Sequence, residues 1–209
     1  MKPSIKKISE YLCEADPRLE EIISTTPPPR RYRNRDPYFV LLRSVVSQQI
    51  SVAAATTIFN RFLDLFEDDV PDPRQVAEQD IETLRNVGLS RQKAMYLQNV
   101  ARYALDHDLT MNALHPLSDD EVISELTQIT GVGRWTVEML LMFPLDRLDV
   151  FPIGDVGIQN TMITHYRLRA KGPALKKRLI TISNKWRPYR TIACKYLWNW
   201  TESDTDSPW

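Results

Sequence analysis

The feature that most constrains this chain is a short turn with two glycines, set between two stretches of helical periodicity. One apolar helical pattern ends near Leu126, Gly131-Val132-Gly133 follows, and a second pattern begins at once. Glycine adopts backbone angles that other residues reach only with strain, so this tripeptide predicts a tight helical hairpin. The first amides of the second helix and the positive end of its dipole suit a phosphate group. The stretch therefore predicts a hairpin that can bind a polyanion.

The rest of the chain shows helical periodicity and no sign of a sheet. Aspartate or serine stands in front of several apolar helical patterns, where it is expected to cap the helix, and in three places proline follows it. The expected caps are Asp16, Asp36, Asp72, Asp80 and Ser90, and Ser118 with Glu121 has the spacing of a capping box. No segment alternates apolar and polar residues as a half-buried strand would. The predicted fold class is all-α.

The charge balance disfavours one class of DNA-binding protein. The chain has 27 Lys and Arg against 27 Asp and Glu, so it lacks the overall positive charge of a protein that coats DNA through many phosphate contacts. The charge balance is still compatible with a DNA-binding protein that uses a small contact surface of backbone amides and a few cationic side chains. Lys171, Lys176, Lys177 and Arg178 form a basic cluster, for which a solvated surface is the favoured interpretation. The two cysteines and three scattered histidines provide no ligand set for zinc or an iron–sulfur cluster.

Three further residue groups are candidates for function. Asp155 follows the hairpin and precedes a helical pattern, so its local sequence favours an N-cap over a catalytic carboxylate, although the two roles are compatible. Asp149 is a competing carboxylate that could instead cap a helix or pair with a basic group. Gln48 and Gln49 interrupt the apolar pattern between two helices. Adjacent amides at such a junction either face solvent or contact DNA, and the sequence alone does not decide between these roles.

In this order and spacing, the segments resemble the DNA-3-methyladenine glycosylases of the helix-hairpin-helix (HhH-GPD) superfamily. The resemblance runs from about Tyr38 to Trp200 and is carried by residues 47–51, 126–139, 149–158, 187–190 and 196–198. It implies two helical lobes with a DNA-binding cleft between them, which together make residues 1–209 a single catalytic unit. Residues 37–147 would form the lobe with the hairpin. Residues 1–36 and 148–209 would form the lobe with Asp155.

The resemblance also implies a role for individual residues. Asp155 corresponds to the essential catalytic carboxylate, and Gly154 stands where several relatives have a second one. The residues implied for the base pocket are Trp135, Trp198 and Met139, and those for DNA binding are Gln48, Gln49, Gly131, Val132, Gly133 and Thr136. Gln49 occupies a wedge position at which some relatives have an apolar residue. The backbone carbonyls of Thr127, Ile129 and Gly131 would hold a monovalent cation, and no other cofactor is implied.

The expected activity follows from this resemblance and from the chemistry of alkylated bases. A purine alkylated at N3 or N7 is cationic, so indole rings attract it and its glycosidic bond is weakened. Relatives that also cut the strand use a hairpin lysine, where this chain has Trp135, and no lysine occurs between Lys93 and Lys171. We therefore expect a monofunctional, monomeric glycosylase that acts on alkylated double-stranded DNA. The alternatives are a glycosylase for hypoxanthine or oxidised purines, and a non-enzymatic DNA-binding module.

The location expected from the sequence is intracellular. No apolar run approaches the roughly 20 residues of a membrane-spanning helix, and the first residues lack the apolar segment of a signal peptide. The compartment, cytoplasm or nucleus, depends on the source organism.

Overall fold

The computed structural model describes residues 3–29 and 36–201, and this part of the chain contains helices and no strand. The predicted all-α fold class is confirmed. The α-helices of the described residues are α1 (Ile5–Ala15), α2 (Leu19–Thr25), α3 (Pro37–Ser47), α4 (Val52–Leu63), α5 (Pro73–Glu78), α6 (Ile81–Asn86), α7 (Arg91–Asp106), α8 (Met111–Leu114), α9 (Asp119–Leu126), α10 (Arg134–Met142), α11 (Val156–His165), α12 (Gly172–Ser183) and α13 (Arg190–Thr201). Two 3₁₀ turns lie at Glu67–Asp69 and Asn184–Trp186.

Several helices begin where the sequence predicts a capping residue. The side chains of Asp36, Asp72, Asp80 and Ser90 accept hydrogen bonds from backbone amides of α3, α5, α6 and α7. Ser118 and Glu121 form the predicted capping box at the start of α9. These side chains satisfy amides that have no partner within their own helix. The helix starts are therefore determined by local sequence.

Asp16 is an exception, because it does not cap α2. That helix begins three residues later, at Leu19. The buried Asp16 carboxylate instead accepts hydrogen bonds from the Tyr166 hydroxyl at 2.9 Å and the Trp186 Nε1 at 3.1 Å. Burial and this carboxylate raise the pKa of the Tyr166 hydroxyl, which keeps it protonated as a donor. The cap prediction for Asp16 was wrong because both partners are distant in sequence.

The chain divides into two compact units. Of the described residues, 36–145 form one, called the hairpin unit, and 3–29 with 146–201 form the other, called the carboxylate unit. In the hairpin unit, α3 and α5 pack against α7, and α10 packs against α3. In the carboxylate unit, α13 packs against α2 and α11, and Trp186 is its largest fully buried side chain. No helix in the described ranges is both long and apolar enough to cross a membrane.

Candidate functional site

The predicted hairpin is formed by α9, a turn and α10. Gly131 in this turn has φ of 101°, and a Cβ there would lie 2.1 Å from Cγ of Tyr96 on α7. Both the backbone angle and the packing therefore require glycine at this position. Gly133 differs, because a Cβ there would meet nothing within 4 Å. It is the N-cap residue of α10, so that helix begins without a side-chain cap.

Helix α7 supports the hairpin from beneath. The Tyr96 ring packs on Gly131, and the Asn99 Nδ2 donates a hydrogen bond to the carbonyl of Thr130 at 3.1 Å. Near the start of the same helix, the Lys93 ammonium donates to the carbonyl of Val46 at 2.7 Å, in the last turn of α3. Burial lowers the pKa of Lys93. These contacts fix the turn against two helices of the hairpin unit.

Gln48 links the end of α3 to the hairpin. Its Nε2 donates to the carbonyl of Gly131 at 3.0 Å and lies 3.1 Å from Oγ1 of Thr136. A carbonyl can only accept, so the amide nitrogen must face the turn. The two linked positions, 48 and 131, are 83 residues apart, which is why the sequence left the role of Gln48 open. Its side chain holds the hairpin, while DNA contact by Gln48 stays a prediction.

Gln49 lies at an exposed junction between α3 and α4. Its φ is 58°, in the left-handed region that residues other than glycine seldom occupy. The side chains of Gln49 and the neighbouring Ile50 are both exposed. This backbone geometry presents an amide and an apolar side chain together at one tip of the hairpin unit. The role of Gln49 as a wedge stays a prediction.

Three other residues named from the sequence have buried side chains. Val132 and Thr136 are almost completely buried, and Met139 has no exposed surface. Val132 and Thr136 can therefore offer DNA only backbone groups in this structure, since the Thr136 hydroxyl faces Gln48. A base could reach Met139 only if neighbouring side chains moved. Trp135, which is half-buried, keeps part of its ring at the surface.

Arg134 is a candidate that the sequence analysis missed. Its side chain is 62% exposed in the first turn of α10, and Nε lies 3.0 Å from Oε1 of Glu138, which is 5% exposed. A cation in the first turn of a helix is disfavoured by the helix dipole. An anion bound at the turn would reverse that preference. The signal available in the sequence was an arginine directly after Gly133, with a glutamate four residues later.

Two of the three carbonyls predicted to hold a cation already accept hydrogen bonds. The carbonyl of Ile129 accepts from the Val132 amide at 2.9 Å, and that of Gly131 accepts from Gln48. Each carbonyl has a second lone pair, so these bonds are compatible with a monovalent cation, which stays a prediction. Among the described residues, no group of three or more His, Cys, Asp or Glu side chains is placed to hold a metal ion.

Asp155 caps α11, as its local sequence predicts. Its Oδ1 accepts hydrogen bonds from the amide of Ile158 at 2.8 Å and from the Trp198 Nε1 at 3.1 Å. The residue is 8% exposed. Both donors meet the same oxygen and come from different helices, so they fix the plane of the carboxylate. Asp155 and Trp198, predicted separately, are brought together in the carboxylate unit.

Gly157 lies directly against this carboxylate. A Cβ at Gly157 would lie 3.2 Å from Oδ1 of Asp155 and 3.5 Å from Nε1 of Trp198, whereas a Cβ at Gly154 would meet nothing within 4 Å. Both glycines are exposed. A side chain at position 157 would therefore press on both Asp155 and Trp198, whereas one at position 154 would not. Gly157 was missed from the sequence, where its position two residues after Asp155 was the available signal.

Asp149 is paired with two arginines. Arg190 donates through Nε to Oδ1 at 2.6 Å and through NH2 to Oδ2 at 3.0 Å, and Arg187 NH1 lies 2.6 Å from Oδ2. Beside this pair, Thr191 Oγ1 donates to the carbonyl of Arg147 at 2.7 Å and accepts from the amide of Val150 at 3.0 Å. The first turn of α13 therefore holds residues 147–150. Of the roles considered for Asp149, pairing with basic groups is the observed one.

Comparison with known proteins identifies the family. The model of HhH-GPD superfamily base excision DNA repair proteins matches residues 42–188, which is most of the chain. The chain belongs to this superfamily. The matched range contains both the glycine turn and Asp155, whereas Trp198 lies beyond it. The resemblance inferred from the sequence is confirmed.

Individual relatives extend this match. DNA-3-methyladenine glycosylase 1 of Schizosaccharomyces pombe is 36% identical over 185 residues, which cover 87% of this chain and 79% of that protein. A structure of the 3-methyladenine DNA glycosylase of the same yeast, in complex with abasic DNA, matches with a TM-score of 0.83 and 37% identity over 92% of this chain and 95% of that chain. A DNA-3-methyladenine glycosidase from Bacillus halodurans matches with a TM-score of 0.74 and 34% identity over 94% and 89%.

Proposed function

We propose that this protein is a monofunctional DNA glycosylase that removes alkylated purines of the 3-methyladenine and 7-methylguanine type and leaves an abasic site. The observation that carries the proposal is the geometry at Asp155. A carboxylate fixed by two N–H donors lies beside the Trp198 indole and against Gly157. Membership of a base excision repair family and the names of the relatives give this geometry its context.

Charge and backbone geometry support double-stranded DNA as the partner. The start of α10 combines an uncapped helix N-terminus with the exposed Arg134, a combination that suits a phosphate. From residue 156 to residue 201 the chain has ten Lys and Arg and neither Asp nor Glu. The chain is neutral only because acidic residues elsewhere balance this segment. Phosphate contacts of this kind position DNA without reading its sequence, which suits an enzyme that searches for damage.

In the proposed reaction, the damaged nucleotide first leaves the duplex. Unstacking costs on the order of a few kcal/mol, and less where the lesion already weakens the stack. The Trp198 indole, which lies beside Asp155, attracts a cationic base by roughly 0.5–2 kcal/mol. This attraction favours alkylated purines over neutral ones, since a neutral base lacks the charge on which it depends.

The carboxylate of Asp155 then acts on the sugar. As the glycosidic bond breaks, positive charge develops on the deoxyribose, and a nearby carboxylate stabilises it. Asp155 also orients or deprotonates the water that attacks this carbon. The bonds from Ile158 and Trp198 hold the carboxylate in one orientation, so little reorganisation is needed when the charge appears.

The absence of strand cleavage is part of the proposal. Trp135 stands where lyases of this kind have a lysine, and the nearest preceding lysine, Lys93, has its ammonium bonded to Val46. An amine is required for the Schiff base that leads to strand cleavage. Borohydride added during turnover should therefore leave no protein–DNA adduct. A trapped adduct would disprove the monofunctional assignment.

Asp155→Asn tests the proposal as a whole. Asparagine is also a good N-cap, so α11 should keep its start and the fold should be retained. We expect almost no release of 3-methyladenine and 7-methylguanine from alkylated duplex DNA, with affinity for abasic DNA retained. Unchanged release by Asp155→Asn would remove this residue from the mechanism. If the wild type releases only hypoxanthine or oxidised purines, the substrate class is wrong, and if it releases no base at all, a DNA-binding module remains.

A further inference from the structure

The hairpin unit contains an acidic cavity that the proposed reaction does not use. It has a volume of about 610 Å³ and lies among the start of α3, the segment after the first 3₁₀ turn, and the end of α7. Asp36, Asp69, Asp72 and Asp108 line it, and the described lining includes neither lysine nor arginine. Four negative charges exclude a nucleic acid phosphate as the occupant and favour a cation.

The carboxylates keep capacity for a ligand after their structural bonds are made. Asp36, Asp72 and Asp108 each accept backbone amides through Oδ1, from Tyr38, from Arg74 and from Thr110. Within the described residues, no hydrogen bond occupies the Oδ2 atoms of Asp36 and Asp72. Burial raises the pKa of Asp36, so the hydrogen bond from the Tyr38 amide offsets only part of the cost of burying its charge. A cation in the cavity would offset more of that cost.

Tyr38 gives a second and independent indication of a ligand. It lines the cavity and is only 6% exposed, and its hydroxyl has no hydrogen-bond partner within the described structure. Burial and the charges of Asp72 and Asp36 raise the pKa of this hydroxyl, so it stays a neutral polar group. A buried hydroxyl without a partner destabilises the protein. A ligand that reached it would remove part of that destabilisation.

The walls of the cavity are apolar, which narrows the kind of cation. Phe39, Pro71, Pro73 and Leu109 line it together with Val70, which is 63% exposed. Lysine and arginine side chains combine a charged head with an aliphatic stem that covers such surfaces. A metal ion is disfavoured, because among the described residues no cluster of His, Cys, Asp and Glu is placed to bind one.

We propose that this cavity is a docking site for a basic segment of a partner protein, with lysine or arginine heads on the carboxylates and aliphatic stems on the apolar wall. Helix α7 carries Ala104 at the cavity and Tyr96 beneath the hairpin. These residues are eight positions apart, or about 12 Å along a helix. The partner would therefore bind about 12 Å along α7 from the contact of Tyr96 with the turn that we propose binds DNA.

The test uses the full chain and a fluorescein-labelled peptide, Gly-Leu-Arg-Pro-Lys-Leu-Arg-Gly, with anisotropy measured at physiological salt. A peptide with glutamine at its three basic positions serves as the uncharged reference. The double variant Asp69→Asn/Asp108→Asn removes two cavity charges. Asparagine tolerates the left-handed backbone at position 69, and at position 108 its side-chain oxygen can still accept from the Thr110 amide. The matched control Asp64→Asn/Glu78→Gln removes two exposed charges of the same unit outside the cavity.

We expect the basic peptide to bind the wild type and the control equally, and the cavity variant roughly tenfold more weakly. Tyr38→Phe deletes an unpaired buried hydroxyl, so the melting temperature of the free protein should stay the same or rise. The same variant should bind the basic peptide more weakly than the wild type does. Base release should be unchanged in all these variants. Equal loss in control and cavity variants, an absence of peptide binding, or binding of spermidine as tight as that of the peptide would overturn the proposal.

Discussion

The indole nitrogen of Trp198 donates a hydrogen bond to Oδ1 of Asp155 across 3.1 Å. An aromatic residue expected to line the base pocket is therefore also a positioning residue for the carboxylate. The ring face of Trp198 can attract a cationic base, while its N–H holds the Asp155 carboxylate in place. Substitutions can separate these two roles.

Trp198→Phe keeps an aromatic ring and removes the N–H donor. We expect the single-turnover rate of base release to fall roughly tenfold, since a hydrogen bond to a charged group contributes about 1.5–3 kcal/mol and the Ile158 amide still holds Oδ1. Affinity for abasic DNA should change little. Trp200→Phe on the same helix, where the ring packs edge-on against His165, is the matched control. A wild-type rate for Trp198→Phe would show that the bond has no catalytic role.

Gly157→Ala separates activity from stability. The added Cβ would lie 3.2 Å from Oδ1 of Asp155, so we expect a loss of base release of at least severalfold. Alanine is favoured over glycine in a helix by up to about 1 kcal/mol, which should keep or raise the melting temperature. Gly154→Ala, with open space around its Cβ, should retain activity. Equal rates for the two variants would contradict the expected crowding at Asp155.

The two hairpin glycines should respond differently to alanine. Gly131→Ala combines a left-handed backbone angle with a clash against Tyr96, so the free energy of unfolding should fall by about 2 kcal/mol or more. Gly133→Ala should lower it by less than about 1 kcal/mol, because nothing lies near its Cβ. Urea unfolding of both variants measures the difference. If both variants lost the same free energy of unfolding, the packing of Tyr96 against Gly131 would not stabilise the turn.

Gln48 and Gln49 should differ in the property that they affect. Gln48→Ala removes the bonds to Gly131 and Thr136, so we expect a loss of stability of about 1–2 kcal/mol together with weaker DNA binding. Gln49→Asn keeps a residue that tolerates the left-handed backbone and should change stability by less than about 0.5 kcal/mol. If Gln49 is the wedge, its shorter asparagine replacement should lower the rate of base release without changing stability. A Gln48→Ala protein of wild-type stability would contradict the linking role.

Arg134 should contribute to DNA affinity through charge. Glu138 is nearly buried and pairs with Arg134, so the useful variant is Arg134→Gln/Glu138→Gln, which removes both charges of this ion pair together. We expect weaker binding of undamaged duplex DNA, and a slope of log affinity against log salt reduced by about 1. Glu138→Gln alone keeps the cation and should bind at least as well as the wild type. An unchanged salt slope in the double variant would place Arg134 away from the phosphates.

The sequence predicts those features that depend on residues close together in the chain. The caps at Asp36 and Ser90, the glycine turn and the N-cap position of Asp155 all follow from contacts within a few residues. The proposed catalytic role of Asp155 came instead from the family resemblance. The local sequence pattern is the same for an N-cap aspartate and for a catalytic carboxylate.

Features that depend on distant partners could not be predicted in this way. Gln48 reaches Gly131, and Asp16 accepts from Tyr166 and Trp186, through contacts that no periodicity records. The complete burial of Met139 is likewise a property of packing. The acidic cavity combines three separate segments, each of which looks like an ordinary helix cap when taken alone.

The position of helix α13 determines where substitutions are expected to inactivate the enzyme. Its first turn holds residues 147–150 through Arg190 and Thr191, and two turns later Trp198 bonds to Asp155. A single helix therefore positions both ends of the segment 147–155, which ends in the proposed catalytic carboxylate. Inactivating substitutions in a random screen should therefore accumulate along the side of α13 that carries Arg190, Thr191 and Trp198, as well as at Asp155 itself.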